Sequence, residues 1–369
     1  MNNSHHKVRF AVIGFGNIAK THMTALRALP IIKRPPLVPV LDTLVTRDPA
    51  RHAAQAEAIG FRAVVATAEE AAAGGQVDAF DICSPNARHF DDAAPAWERG
   101  ISVYCEKPLS ETYERSQALA AKAKRHPQLT TQLAFTFRYH PAVMRIRELL
   151  AQGVIGDVLQ CKISYRRSGY LSPDRPLSWR LMSGMSGGGA ISDLGVHVLD
   201  MLRHWFGELE HVEGRTSIHV KTRKNADGGG TVPSEVDDWA IMHYRSASGV
   251  QGIAEVSRIA LGSDAFDIQI VGSRGSITCD LERHALPQVH MLGGGSGALP
   301  VPASLELLPD EKATMGFAVD THFGALHHYI LRLAGEERHA GLAPTFEDGL
   351  IAEYWIDRIL NEARQEQNR

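Results

Sequence analysis

Several common features are missing from this chain, and each absence narrows what it can be. No apolar run approaches the ~20 residues that a membrane span requires. The N-terminus, Met1 to Lys7, is polar and passes straight into a strand pattern, so the apolar core of a secretory signal is missing and a cytoplasmic location is expected. Charge of one sign is lacking: 39 Lys and Arg face 42 Asp and Glu, a net charge of −3, so no global basic field exists to hold nucleic acid or a membrane surface. Cysteine is scarce. Cys83, Cys105, Cys161 and Cys279 include no C-x-x-C pair and read as small buried hydrophobes in a reducing compartment. The 18 histidines, among them His5-His6, His204, His211 and His327-His328, show no H-E-x-x-H and no Cys or carboxylate partner at a ligand spacing, so no metal is expected. No internal repeat is present.

What remains is an ordinary globular composition, 44% hydrophobic and 22% charged, in 369 residues, a length that suits two domains. The first half alternates. Strand patterns at Lys7–Ile13, Leu37–Thr46, Val77–Cys83 and Ile101–Cys105 are each followed by a helical stretch, to about Leu29 and then over Asp48–Ile59, Ala87–Arg99 and Ser110–Arg125. Leu129–Phe137 reads as a further strand. Apolar strands alternating with helices mean a doubly wound α/β domain around a parallel sheet.

The pattern changes after Tyr139. Pro141 opens a helix that Gly153 stops. Strands at Val158–Arg166, Val212–Val220, Asp238–Tyr244, Val250–Val256, Phe266–Val271 and Gly275–Asp280 then follow, several joined by short turns. Short connections imply antiparallel neighbours, hence an α+β domain with a largely antiparallel sheet. Lys224–Ser234 and Leu292–Pro300 read as mobile Gly-rich loops, and Phe346–Arg364 as an amphipathic helix. The expected domains are residues 1–137, residues 138–345 and a C-terminal helix, 346–369, packing back against the first.

Gly14-Phe15-Gly16-Asn17-Ile18-Ala19 directly follows the first strand and opens the first helix. Gly14 permits the tight turn, Gly16 lets backbone approach a pyrophosphate, and small Ala19 allows close helix–strand packing, which points to dinucleotide binding. The second strand ends at Thr46-Arg47-Asp48. Asp42 is too early to read a ribose and Asp48 suits a helix cap, whereas Arg47 suits a 2′-phosphate, an adenine face or plain solvent, so both NAD and NADP stay open.

Glu106-Lys107-Pro108 closes the Ile101–Cys105 strand, at the edge where open α/β sheets hold ligands. Gly187-Gly188-Gly189 leads into a helix on which Asp193, His197, Asp200 and His204 form one stripe, with apolar residues over most of the remaining surface. Such a helix is buried and its polar stripe faces a cavity. An Asp and a His one turn apart suit proton transfer from a hydroxyl. Upstream, Trp179-Arg180 offers an aromatic face and a fork of donors suited to a polyhydroxylated ligand.

These motifs, with Ser84-Pro85-Asn86, His89, Asp237-Asp238 and Thr345-Phe346-Glu347-Asp348-Gly349, together resemble the Gfo/Idh/MocA oxidoreductases from about Lys7 to Glu362. Within that family, Leu177 to Arg180 and Gly188 to His197 are most similar to the levoglucosan and inositol dehydrogenase-like members. The resemblance implies a Rossmann domain plus an open-faced antiparallel sheet domain, homodimers or homotetramers, and hydride transfer between a nicotinamide and a sugar or polyol carbon. It implies that Lys107 binds the reacting hydroxyl, His197 is the general base and Asp193 holds the substrate. Ser84, Pro85, Asn86, His89, Glu106 and Lys107 join Gly14, Gly16, Asn17, Ile18, Thr46 and Arg47 as cofactor residues. Arg138, Tyr170, Trp179 and Arg180 are the remaining substrate candidates. Two other readings fit the same resemblance: a redox-neutral NAD-dependent glycosidase, and a non-enzymatic sugar or nucleotide sensor.

Overall fold

A computed structural model describes residues 6–227, 229–283, 286–298, 315–336 and 341–367. The chain divides into two compact units. Met1–Ser110, Glu114–Tyr139 and Leu307–Leu350 make the first; Glu111–Tyr113, His140–Glu306 and Ile351–Arg369 make the second.

The first unit is built on a parallel sheet of β1 (His6–Ile13), β2 (Leu37–Val45), β3 (Ala63–Val65), β4 (Ala79–Ile82), β5 (Ser102–Cys105) and β6 (Thr131–Leu133) in the order 3-2-1-4-5-6. That is the order of the dinucleotide-binding fold, and β4 and β5 are buried throughout, as strands covered on both faces must be. The helices α1 (Asn17–Ile32), α2 (Pro49–Ile59), α3 (Ala68–Ala73), α4 (His89–Glu98) and α5 (Tyr113–Lys124) connect the strands. Two end signals act as the residue types dictate. Asp48 accepts a hydrogen bond from Arg51 N at 3.1 Å to cap α2, and Thr67 accepts one from Glu70 N to cap α3.

The Leu129–Phe137 strand reading needs correction. Only Thr131–Leu133 pairs, and the chain then tightens into a 3₁₀ turn, Thr136–Tyr139. The short β3–α3 segment is absent from the predicted elements, because three strand residues and six helical ones carry too little periodicity to stand out.

The second unit starts with α6 (Pro141–Ala151), followed by β7 (Val158–Arg166), the short α7 (Ser183–Ser186), a π-turn over Ile191–Gly195 and α8 (Val196–Phe206). Then come β8 (Leu209–Ser217), β9 (Thr222–Lys224), β10 (Thr231–Pro233), β11 (Trp239–Ser246), β12 (Gln251–Ser257), β13 (Ala265–Gly272), β14 (Gly275–Asp280), β15 (Gln288–Met291) and β16 (Ser296–Ala298). Eight strands form one sheet, 16-15-14-13-7-12-11-8, antiparallel at every junction except β12 with β7. The Gly-rich segments expected as loops carry short paired strands instead, β10 on β9 and β16 on β15; Gly228, Leu299 and Pro300 lie outside the described residues.

Two long helices complete the chain. α9 (Phe317–Leu333) belongs to the first unit and is not among the predicted elements. Its Tyr329 ring meets Phe10 of β1 and Tyr104 of β5, at centroid distances of 6.3 and 5.3 Å, so α9 covers the sheet face of the nucleotide-binding unit. α10 (Phe346–Gln367) begins at a two-way cap: Thr345 Oγ1 accepts from Asp348 N, and Asp348 Oδ2 accepts from Thr345 N and Oγ1. Among the described residues, no helix is long and apolar enough to cross a membrane.

Candidate active site

Register in the parallel sheet aligns the strand ends. Ile13 pairs with Val45 and with Ile82, and Ile82 pairs with Cys105. The segments after β1, β2, β4 and β5 therefore leave from one edge, and the order 3-2-1-4-5-6 puts the reversal of winding between β1 and β4. Gly14 to Ile18 and Ser84 to Asn86 flank that point.

At Gly14 the backbone has φ of +104°, and a Cβ there would sit 2.8 Å from Cys83 O, so the first turn and the end of β4 touch through glycine. At Gly16, by contrast, a Cβ would meet nothing within 4 Å. Gly16 opens α1, whose first turn holds no acidic residue and no side-chain cap. Open space before uncapped helix N–H groups at a strand–turn–helix junction fits a dinucleotide's pyrophosphate, with Gly14, Gly16, Asn17 and Ile18 as its cradle.

At the end of β2 the carboxylates are already engaged. Asp42 is buried under a two-point ion pair with Arg62, at 3.0 Å to each oxygen, and Asp48 caps α2. Thr46 N–H is bonded to Val65 O at 3.0 Å, and Arg47 is exposed at the rim.

His89 is fully buried. Its ring nitrogens lie 3.0 Å from Ser84 O and 3.0 Å from Pro108 O, so it ties the Ser84–Asn86 turn to the segment after β5. Glu106 is buried beside Lys107, whose backbone N–H donates to Glu106 Oε2 at 3.2 Å; Asn86 is also buried, and Ser84, Pro85 and Lys107 are half-buried.

Beneath Glu106 lies a cluster that sequence spacing does not reveal. His22 of α1 has Nδ1 2.8 Å from Asp81 Oδ1 and Nε2 3.1 Å from Glu106 Oε1. The His322 ring of α9 lies 4.6 Å from that of His22. Burial would raise the Glu106 carboxyl, but the His22 hydrogen bond and neighbouring positive charge hold it down to about 2. Two ligand-capable groupings result, His22–Glu106–His322 and His22–Asp81–Cys83, each with donor atoms within 4.8 Å of one another. The only sequence signal was a histidine eight residues beyond the first fingerprint glycine.

In the second unit the Gly run is explained by close backbone approach. Asp237 Oδ1 accepts from Gly189 N at 2.7 Å and Oδ2 from Ile191 N at 2.8 Å, while Asp237 O accepts from Ala190 N at 2.9 Å. Burial raises the Asp237 carboxyl, and Arg258 together with these N–H donors opposes that rise. Asp237 is thus the anchor of the helix start, and neighbouring Asp238 holds Arg223 at 2.8 Å and the N–H groups of His219 and Val220.

The expected stripe lies on a buried helix: His197 and Asp200 are buried, and Asp193 and His204 are half-buried. A correction concerns its winding. Asp193 sits in the π-turn and His197 in the first turn of α8, so the two do not share one regular α-helical repeat. Tyr165 of β7 is a neighbour that the sequence reading missed. Burial pushes its hydroxyl up to about 12 against the pull of Arg167, with the Asp193 carboxylate adding to the rise.

The remaining candidates have internal partners. Arg138 is buried and pairs with Asp348 at 3.3 Å. Tyr170 is stacked by the guanidiniums of Arg175 and Arg258, 4.1 and 4.4 Å from its ring centre, and Arg180 lies 4.3 Å over the Trp179 ring.

Comparison with known proteins matches this architecture part by part. Residues 8–133 match the family described as "Oxidoreductase family, NAD-binding Rossmann fold", and residues 143–278 match the "GFO/IDH/MocA C-terminal domain". Levoglucosan dehydrogenase of Pseudarthrobacter phenanthrenivorans is 28% identical over 387 aligned positions, covering 96% of each chain. Inositol 2-dehydrogenase of Rhizobium meliloti is 27% identical, covering 97% of this chain and 98% of the relative. The solved structure of levoglucosan dehydrogenase in complex with NADH and levoglucosan superposes with a TM-score of 0.89 at 28% identity, over 98% of each chain. With an NAD-binding Rossmann sheet followed by the matching C-terminal sheet, the chain belongs to the Gfo/Idh/MocA family of oxidoreductases.

Proposed function

We propose that this protein is a nicotinamide-dependent dehydrogenase that oxidises a hydroxyl-bearing carbon of a sugar, anhydrosugar or cyclitol, with Lys107, Asp193 and His197 handling the proton. The observation that carries the reading is the co-occurrence, in one chain, of the phosphate cradle at Gly14–Ile18, a lysine two residues after β5, and an acid in the π-turn that leads into α8 with a histidine four residues on in its first turn. The full-length likeness to sugar and cyclitol dehydrogenases supports the substrate class.

When bound, the nicotinamide supplies the hydride acceptor. The Lys107 ammonium donates a hydrogen bond to the reacting hydroxyl oxygen and favours its deprotonated form. His197 takes the hydroxyl proton as general base, and Asp193 accepts a hydrogen bond from the substrate and so fixes its orientation. The carbon loses a hydride, its oxygen loses a proton, and a carbonyl results. Trp179 and Arg180 supply an apolar ring face and a donor fork for the sugar, and Arg138 and Tyr170 shape the surroundings. A homodimer or homotetramer belongs to the same reading.

The test is nicotinamide absorbance with purified protein, a panel of sugars, anhydrosugars and inositols, and NAD⁺ or NADP⁺ in parallel. A rise with one pairing is expected. Cofactor binding with no absorbance change for any pairing, in either direction, removes the dehydrogenase reading and leaves a redox-neutral glycosidase or a sensor.

A further inference from the structure

Both ring nitrogens of His22 face carboxylates, Asp81 at 2.8 Å and Glu106 at 3.1 Å, in a place without solvent; Cys83 Sγ also lies 3.3 Å from Nδ1, with its thiol directed to Asp81 Oδ1. Carboxylates only accept, so both contacts are hydrogen bonds only when both nitrogens carry hydrogen. A neutral ring would aim one nitrogen lone pair at a carboxylate oxygen with no water to separate them. Glu106 has a donor on each oxygen, His22 Nε2 on Oε1 and the Lys107 backbone N–H on Oε2, as an ionised carboxylate requires.

The surrounding groups agree. Burial alone would lower the pKa of His22, but the charge and hydrogen bond of Asp81 carry it well above its ordinary value. His322, whose Nδ1 lies 3.9 Å from Glu106 Oε1, is pushed down to about 3 by burial and by the charge on His22, so it stays neutral. The Cys83 thiol, 3.5 Å from Asp81 Oδ1, is raised by burial and by Asp81 and keeps its proton. Tyr104, whose ring stands edge-on to His22 with 5.6 Å between centroids, is likewise raised by burial and remains neutral.

We propose that His22 is a positioning residue: a buried imidazolium, locked by Asp81, that clamps the Glu106 carboxylate and through it the backbone at Lys107. The inference rests on the reading that gives Lys107 to the reacting hydroxyl. Removing the cation leaves two buried carboxylates without a shared partner and frees Glu106 to turn away from the Lys107 N–H, so the ammonium loses its fixed origin, while the phosphate cradle at the start of the same helix α1 keeps its backbone N–H groups.

The experiment has two arms. In the first, protein labelled with ¹⁵N-histidine is examined by NMR at pH 8, with the His22 signals assigned from their loss in His22→Gln and their shift in Glu106→Gln. Protons on both ring nitrogens are expected; a neutral tautomer at that pH overturns the proposal. In the second arm, His22→Gln and Glu106→Gln each lower kcat at least tenfold, with substrate KM changed less than about threefold, and the double variant is no slower than the slower single one. Unchanged kcat, or losses that multiply in the double variant, overturn it. If His22→Gln does not fold, the Glu106→Gln shifts still assign the ring in the first arm and its kcat alone decides the second. Dialysis against zinc followed by metal analysis gives a further check: stoichiometric zinc that disappears in His22→Gln shows a neutral ligand in place of the clamp. A wild-type protein that keeps the doubly protonated ring yet turns over no member of the panel removes the dehydrogenase reading and spares the imidazolium, so the two failures are distinguishable.

Discussion

Gly189 N–H donates to Asp237 Oδ1 at 2.7 Å, and the two backbones approach so closely that a Cβ on Gly189 would fall 1.7 Å from Asp237 O. The contact fixes where the π-turn and α8 begin, and with them the heights of Asp193 and His197.

Gly189→Ala must therefore push the two segments apart. A loss of about 1–3 kcal/mol or more is expected in urea unfolding, with turnover falling further than stability because the helix start is displaced. An alanine variant as stable and as active as the parent would show that the approach is not required.

Lys107→Ala and His197→Ala are each expected to lower kcat by roughly 10²–10⁴-fold, the usual worth of a positioned acid or base, with NADH affinity within a few fold of the parent. Steady-state kinetics and fluorescence titration with NADH separate the two. A loss below about tenfold would take that residue out of the proton transfer.

Arg47 stands exposed at the end of β2, where the nearby carboxylates of Asp42 and Asp48 are committed elsewhere. If Arg47 meets a 2′-phosphate, Arg47→Ala weakens NADPH binding by at least tenfold and NADH binding hardly at all. Equal losses for both cofactors point to stacking on adenine, and no loss for either to a solvated side chain.

Glu353 of α10 is buried with Oε1 lacking a hydrogen-bond partner, and burial, with Asp357 and Glu111 nearby, pushes its carboxyl up to about 8. The folded state then keeps a proton that the unfolded chain releases above its ordinary value of 4.5. Stability contributed by the neutral form is full below pH 4.5 and declines as pH rises toward 8. Glu353→Gln removes that decline: its melting temperature relative to the parent is expected to rise between pH 5 and pH 8. A constant difference across that range would show that Glu353 does not carry the proton.

Much of the first unit is legible in the sequence because its signals are local. A run such as Lys7–Ile13 followed by Gly14 and Gly16 reports its own backbone repeat, its turn and its phosphate-facing helix start without reference to any distant residue. The same locality explains the misses. Thr136–Tyr139 has strand-like composition yet coils, because the segment leaves the sheet edge after three paired residues, and β3 is too short to show a period.

For the site, the residue types and their order can be read along the chain: the fingerprint glycines, Lys107 after a strand, and Asp193 and His197 in an apolar helical run. Packing of distant segments makes Asp237 the anchor of that helix, sets Asp193 in a π-turn ahead of His197, and brings His322 of α9 beside His22. His22, Asp81, Glu106 and His322 come from α1, β4, the residue after β5, and α9. Which of these become neighbours is set by strand order and by which helix covers which sheet face, and neither leaves a period in the chain.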